Sequence, residues 1–254
     1  MDDAGSVEQR YRAGGAPVLL KASDLWFAYN RRTPVLSGVD MTVAAGRMAM
    51  VLGRSGSGKT TLLKVLKGLL RPQRGTVTLH LPPNGARRPS GRIAYIPQTL
   101  GLVRSMTALE NTLTGALSRV GTVRSVARAF PREVLEEARE TLAGLGIAHK
   151  EREPVYNLSG GERQRVAIGR ALMQRPALIL ADEFVSQLDH ITAEEILDTM
   201  HRLAEGGVGL LVTTHEIDVV VEHADEVVVM RGGTVTHRSE GAGLTVDGLL
   251  GHLR

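Results

Sequence analysis

Gly53-Arg54-Ser55-Gly56-Ser57-Gly58-Lys59-Thr60 follows directly on the unbroken apolar run Met48–Leu52 and leads into a helical stretch, Thr61–Leu69. Such a run, with no polar alternation, suits a parallel strand buried on both faces. Strand, glycine-rich loop and helix in that order satisfy G-x-x-x-x-G-K-[ST] together with the context the motif requires. Gly53, Gly56 and Gly58 let backbone N–H groups converge on phosphate oxygens, and the helix start adds a dipole of favourable sign. Lys59 is placed to reach the β- and γ-phosphates of a nucleoside triphosphate, and the Thr60 hydroxyl to ligate Mg²⁺. Arg54, Ser55, Ser57 and Thr61 complete the candidate phosphate-binding set.

A second apolar run, Ala177–Ala181, ends in Asp182-Glu183. In open α/β sheets, ligands sit at the carboxyl ends of strands. Asp182 is therefore the candidate for the Mg²⁺ shell, and Glu183 for orienting and deprotonating the attacking water. Further runs at Ile93–Ile96, Leu210–Val212 and Val227–Met230 alternate with helical patterns such as Arg132–Leu145 and Thr192–Ala204. This alternation predicts a parallel sheet covered on both sides. Strand-like patterns from Val18, through Leu25–Tyr29 and Val39–Val43, predict an N-terminal β subdomain. The expected division is a loose arm over 1–16, an α/β core over 17–98 and 176–237, an inserted helical lobe over 99–175 and a tail over 238–254. Pro82–Gly91 reads as a breaker-rich surface loop.

Composition removes several classes. The chain has no cysteine, so disulfides play no part, and no apolar run is long enough to cross a bilayer. Its start lacks the pattern of a secretory signal, and the expectation is a cytoplasmic protein. The net charge of +4 would by itself permit nucleic-acid or membrane-surface contact, but the basic residues are scattered and read at least as well as a solvated surface, so charge alone does not decide whether nucleic acid is a partner.

Leu158-Ser159-Gly160-Gly161-Glu162 opens a helix with Ser159 and Glu162 in a capping box. The two glycines permit close backbone approach, giving a second helix start suited to phosphate. This segment resembles the signature motif of ATP-binding cassette (ABC) ATPases, and it precedes the Asp182-Glu183 strand as it does in that family. Four further elements fall in the family's order. Tyr29 is similar to the aromatic that stacks on adenine, and Gln98 to the glutamine that senses Mg²⁺ and couples to the membrane partner. Ser186-Gln187-Leu188-Asp189 resembles the loop that crosses the dimer interface, and His215 the histidine that contacts the γ-phosphate. The resemblance spans about Val18 to Thr236. It departs from the usual pattern at Arg47, Phe184, Gln187 and Gly169. None of these removes a ligand, though Phe184 and Gln187 flank the catalytic loop.

The resemblance implies a P-loop NTPase core that binds ATP with Mg²⁺ and works as a head-to-tail dimer with a second copy or a homologous subunit. Gln98, Glu183 and His215 of one chain are then the catalytic set. They face Ser159, Gly160 and Gly161 of the other chain, with Asp189 between the two sites. It also implies separate membrane permease subunits, a place on the inner face of the membrane, and an extracytoplasmic solute-binding protein if the system imports. Glu110–Val120, Arg124–Pro131 and Ala167–Gln174 are similar to the helical lobe of phosphonate-importer ATPases. Two alternatives stay open: the ATPase of an export or lipoprotein-release system, and a soluble ABC ATPase acting on nucleic acid or an assembly machine.

Overall fold

The computed structural model describes residues 12–13, 15–30, 33–81, 92–119, 130–186, 188–241 and 245–253. Gln187, most of the arm, the Pro82–Gly91 loop and much of the Arg124–Pro131 segment lie outside the described residues.

Two sheets carry the fold. In the first, β2 (Ala16–Phe27) is flanked by β3 (Leu36–Ala44) and β5 (Arg74–Leu79), all antiparallel, with a short β1 (Arg12–Ala13) folded onto its start. The second runs β10 (Thr234–Glu240), β9 (Glu226–Arg231), β4 (Met48–Leu52), β8 (Gly209–Thr214), β7 (Leu178–Asp182), β6 (Ile93–Ile96). It is parallel except for β10, which pairs antiparallel with β9. Every residue of β4, β7 and β8 is buried.

Period-two geometry explains why these runs are apolar throughout. Ala49, Val51, Leu180 and Leu211 point toward the antiparallel sheet and the helix α1 (Lys59–Leu66). Met50, Leu52, Ile179, Ala181 and Val212 point the other way, toward α4 (Gly160–Leu172) and α5 (His190–Glu205). Each face of the central strands thus belongs to a different core. On the second side also lie α6 (Ile217–His223) and α7 (Val246–Leu253), the latter anchored by buried Leu249.

Between β6 and β7 the chain is helical: α2 (Ala108–Thr114), α3 (Arg132–Gly144) and α4. Thr107 and Glu110 form a capping box at α2 that was not anticipated, although Thr-x-x-Glu is its sequence sign. The α2–α4 contact is close. A methyl on Gly115 would run into the Arg170 carbonyl oxygen, whereas one on Gly169 would sit 3.3 Å from Leu145 Cδ1 and 3.4 Å from Thr112 Oγ1. Gly169 therefore has a packing reason that its helix position alone conceals. At the far end of α4, Arg170 donates to the carbonyls of Gly101 (2.5 Å) and Leu100 (2.7 Å). The Glu137 carboxylate of α3 bridges Arg119 and Arg175, each at 3.1 Å.

Three boundaries differ from expectation. β2 stops at Phe27, leaving Tyr29 in a bend, because the chain must turn out of the sheet to reach β3. Residues 12–13 pair with Ala16-Pro17 instead of trailing free. The 238–254 segment begins inside β10, where Arg238 Nε meets Glu226 Oε1 at 2.6 Å.

Two predictions follow from the helical packing. Gly115→Ala should destabilise the protein by about 1–3 kcal/mol in urea unfolding, since overpacking forces backbones apart. Gly169→Ala should stay within about 1 kcal/mol of wild type, its helix-propensity gain offset by crowding. Burial raises the Glu137 carboxyl, but the Arg175 and Arg119 hydrogen bonds outweigh it and hold the group below the ordinary glutamate range. That contribution is present above the unfolded-state value and is lost as pH falls through the folded one. Glu137→Gln should therefore flatten the acid limb of stability against pH.

Candidate active site

The loop between β4 and α1 is shaped by close approaches only glycine permits. A Cβ on Gly53 would lie 2.5 Å from the Met230 carbonyl oxygen and 2.6 Å from Ser57 Oγ. Gly58 has φ +105°, and a Cβ there would lie 2.8 Å from the Val35 carbonyl oxygen. Lys59, only 4% exposed, donates from Nζ to the Gly53 carbonyl (2.6 Å) and sits 3.0 Å from Glu183 Oε1. Among the described residues, Ser57 Oγ is buried with no hydrogen-bond partner. A polar cleft of about 190 Å³ opens over this loop, lined by residues 55–61 with Val35, Gln98 and Glu183.

The acids come from the end of β7. The parallel register sets Asp182 beside Thr213 of β8. Buried Asp182 accepts from Thr213 Oγ1 (2.8 Å), Thr60 Oγ1 (3.2 Å) and the Tyr95 hydroxyl (3.4 Å). Burial, and then the Asp182 charge, push the Tyr95 phenol above its ordinary value, so it remains a proton-bearing donor to the carboxylate.

Glu183 leaves the strand with φ +43°, an uncommon conformation for a residue with a side chain. Its N–H donates to both the carbonyl oxygen (3.0 Å) and Oγ1 (3.1 Å) of Thr213, and its carbonyl accepts from Ser186 Oγ (2.8 Å). The turn aims its carboxylate back over the loop. There Oε2 accepts from Gln98 Nε2 (3.1 Å), and Oε1 lies 3.7 Å from His215 Nδ1.

The structure therefore gathers Lys59, Thr60, Gln98, Asp182, Glu183 and His215 into one constellation. Tyr29 stands beside it, 62% exposed, its hydroxyl 3.3 Å from Thr61 Oγ1 and its ring edge-on to Phe27. Ser159, Gly160 and Gly161 do not line that cleft. The capping box is formed, with Ser159 N donating to Glu162 Oε2 (2.7 Å) and Glu162 N to Ser159 Oγ (3.2 Å). Gly160 borders a neighbouring cleft that shares Gln98 and Glu183. Asp189 also lies apart, capping α5 through the Thr192 N–H (3.0 Å). Phe184 is 1% exposed and packs in the core. Thr213 and Tyr95 were missed by sequence reading. Nothing in a strand's own pattern marks either; only the β7–β8 register and the fold bring them to Asp182.

The ABC transporter family profile matches residues 36–186, more than half of the chain. The chain belongs to the ABC transporter family. A phosphonates import ATP-binding protein of Ruegeria sp. (strain TM1040) is 35% identical over 236 residues, covering 90% of this chain and 92% of that protein. A hypophosphite import ATP-binding protein of Stutzerimonas stutzeri is 36% identical, covering 86% of this chain and 66% of its own length. Among solved structures, a dimeric post-hydrolysis ATP-binding cassette bound to ADP and Pi superposes with TM-score 0.74 at 26% identity, covering 89% of this chain and all of that one. As an ABC ATPase, the chain hydrolyses ATP.

Thr213→Val should test the β8 contribution, since it leaves the Asp182 carboxylate and the Glu183 N–H each short of a partner. A loss of about 1–3 kcal/mol of stability is expected, with ATPase activity reduced at least about tenfold, and Thr213→Ser should recover both.

Proposed function

We propose that this chain is the ATP-hydrolysing energy subunit of an importer for phosphonate or a related phosphorus oxyanion, driving separate membrane permease subunits. The observation that carries this reading is the identity to import ATP-binding proteins over 90% of the chain, joined to an intact constellation around Glu183. Among the described residues, no helix is long and apolar enough to cross a membrane.

The residues divide the work by chemistry. The N–H groups of Gly56–Thr60 and the Lys59 ammonium bind the β- and γ-phosphates, and Tyr29 offers a face for adenine. Thr60 Oγ1 and the Asp182 carboxylate, 3.2 Å apart, form with the Gln98 amide a hard-oxygen donor set that fits Mg²⁺. Mg²⁺ held by these residues would neutralise charge on the phosphates. Glu183 orients the attacking water and accepts its proton, with Gln98 and His215 fixing the carboxylate. In a head-to-tail dimer, Ser159, Gly160 and Gly161 of a second copy close on the γ-phosphate, and Asp189 links the two sites. The helical lobe, 99–175, docks on the permease at the inner face of the membrane, and a solute-binding protein delivers the cargo.

Glu183→Gln should bind ATP normally while hydrolysing it about 10²–10⁴-fold more slowly, the usual worth of a positioned general base. Purified with ATP from detergent-solubilised native membranes, that variant should bring down a polytopic permease of the phosphonate class. Recovery of only soluble or nucleic-acid partners would overturn the transport reading and leave the ATPase chemistry standing.

A further inference from the structure

Outside the ATP site, one cluster of ligating side chains remains unexplained. His190 and Glu194 stand one turn apart on α5, and Glu222 approaches from the last turn of α6; one ligand atom from each lies within 4.8 Å of the others. Glu194 Oε1 is 3.8 Å from His190 Nδ1 and 3.2 Å from Nε2 of His223, which is 8% exposed.

Two observations point to a cation. First, among the described residues neither Glu194 nor Glu222 has a lysine or arginine partner, while the adjacent Glu195 is paired with Arg165 at 2.5 Å. Two carboxylates brought together without a lysine or arginine between them repel each other, and Glu222 also sits at the negative end of the α6 dipole. Second, the neighbours are imidazoles, and the mixed nitrogen and oxygen set is that of a borderline ion rather than of Mg²⁺ or Ca²⁺.

We propose that His190, Glu194 and Glu222 bind a divalent transition ion of the zinc class, with His223 holding the Glu194 carboxylate in place. Tetrahedral Zn²⁺ with bonds of about 2.0–2.2 Å needs ligand atoms roughly 3.3–3.6 Å apart. Small rotations close the remaining gap, because His190 is 80% exposed on its side chain. The ion ties the first turn of α5, directly after Asp189, to the end of α6, which starts two residues after His215. Its occupancy thus restrains the start of α5 relative to the end of α6. The site is independent of the transported solute.

The test uses the full chain, stripped with EDTA and titrated with ZnCl₂ under excess Mg²⁺, followed by calorimetry and thermal melting, with Co²⁺ absorption as a second probe. About one equivalent should bind and raise the melting midpoint. His190→Ala and Glu222→Gln should each weaken binding at least about tenfold, erase the Co²⁺ bands, and melt like wild type in EDTA. If His190→Ala melts early in EDTA, the isosteric, exposed Glu222→Gln decides. Absence of stoichiometric binding overturns the proposal. So does binding that survives both substitutions, or binding lost only in Glu183→Gln, which would place the ion in the ATP cleft.

Discussion

The pairing of β7 with β8 is the constraint on which the site depends. Its register fixes Asp182 opposite Thr213, and the Thr213 hydroxyl then serves two residues at once. It donates to Asp182 and accepts from the Glu183 N–H. A slip by one residue would turn every side chain to the opposite face and would exchange the two cores that the central strands separate. Register is therefore specified by burial on both faces, and the chemistry inherits that precision.

Charge is handled by mutual satisfaction. Lys59 and Asp182 are both nearly inaccessible, a costly arrangement unless each finds partners. Lys59 has the Gly53 carbonyl and Glu183, and Asp182 has three hydroxyls. Because Glu183 also accepts from Gln98, the ammonium, the amide and the imidazole of His215 converge on one carboxylate. The Lys59 ammonium, with the backbone N–H groups of the glycine-rich loop, is what suits this pocket to an anionic ligand.

Much of this was legible in the sequence. Unbroken apolar runs located β4, β6, β7 and β8, because burial on both faces leaves a pattern needing no knowledge of neighbours. The loop before Lys59 and the acids after Ala181 were readable because each lies at a strand end within a few residues of its motif. Thr213 and Tyr95 were not, since their roles arise from cross-strand neighbours. The meaning of Gly169 was hidden for the same reason: its crowding comes from Leu145 and Thr112, far along the chain. The resemblance places Asp189 between two sites, whereas within one chain its geometry is that of a helix cap.

Arg170 has a mechanical consequence. It grips Leu100 and Gly101, and that segment begins at Gln98, which holds Glu183. The same helix is capped by Ser159, about 16 Å from Arg170 at 1.5 Å per residue. Helix, gripped segment and carboxylate are thus joined in series, with a stiff rod at one end. A tilt of roughly ten degrees in a rod of that length moves its far end by about 3 Å, comparable to the span of a hydrogen bond. Leverage applied to the lobe is thereby converted into tension on the one side-chain amide that positions Glu183.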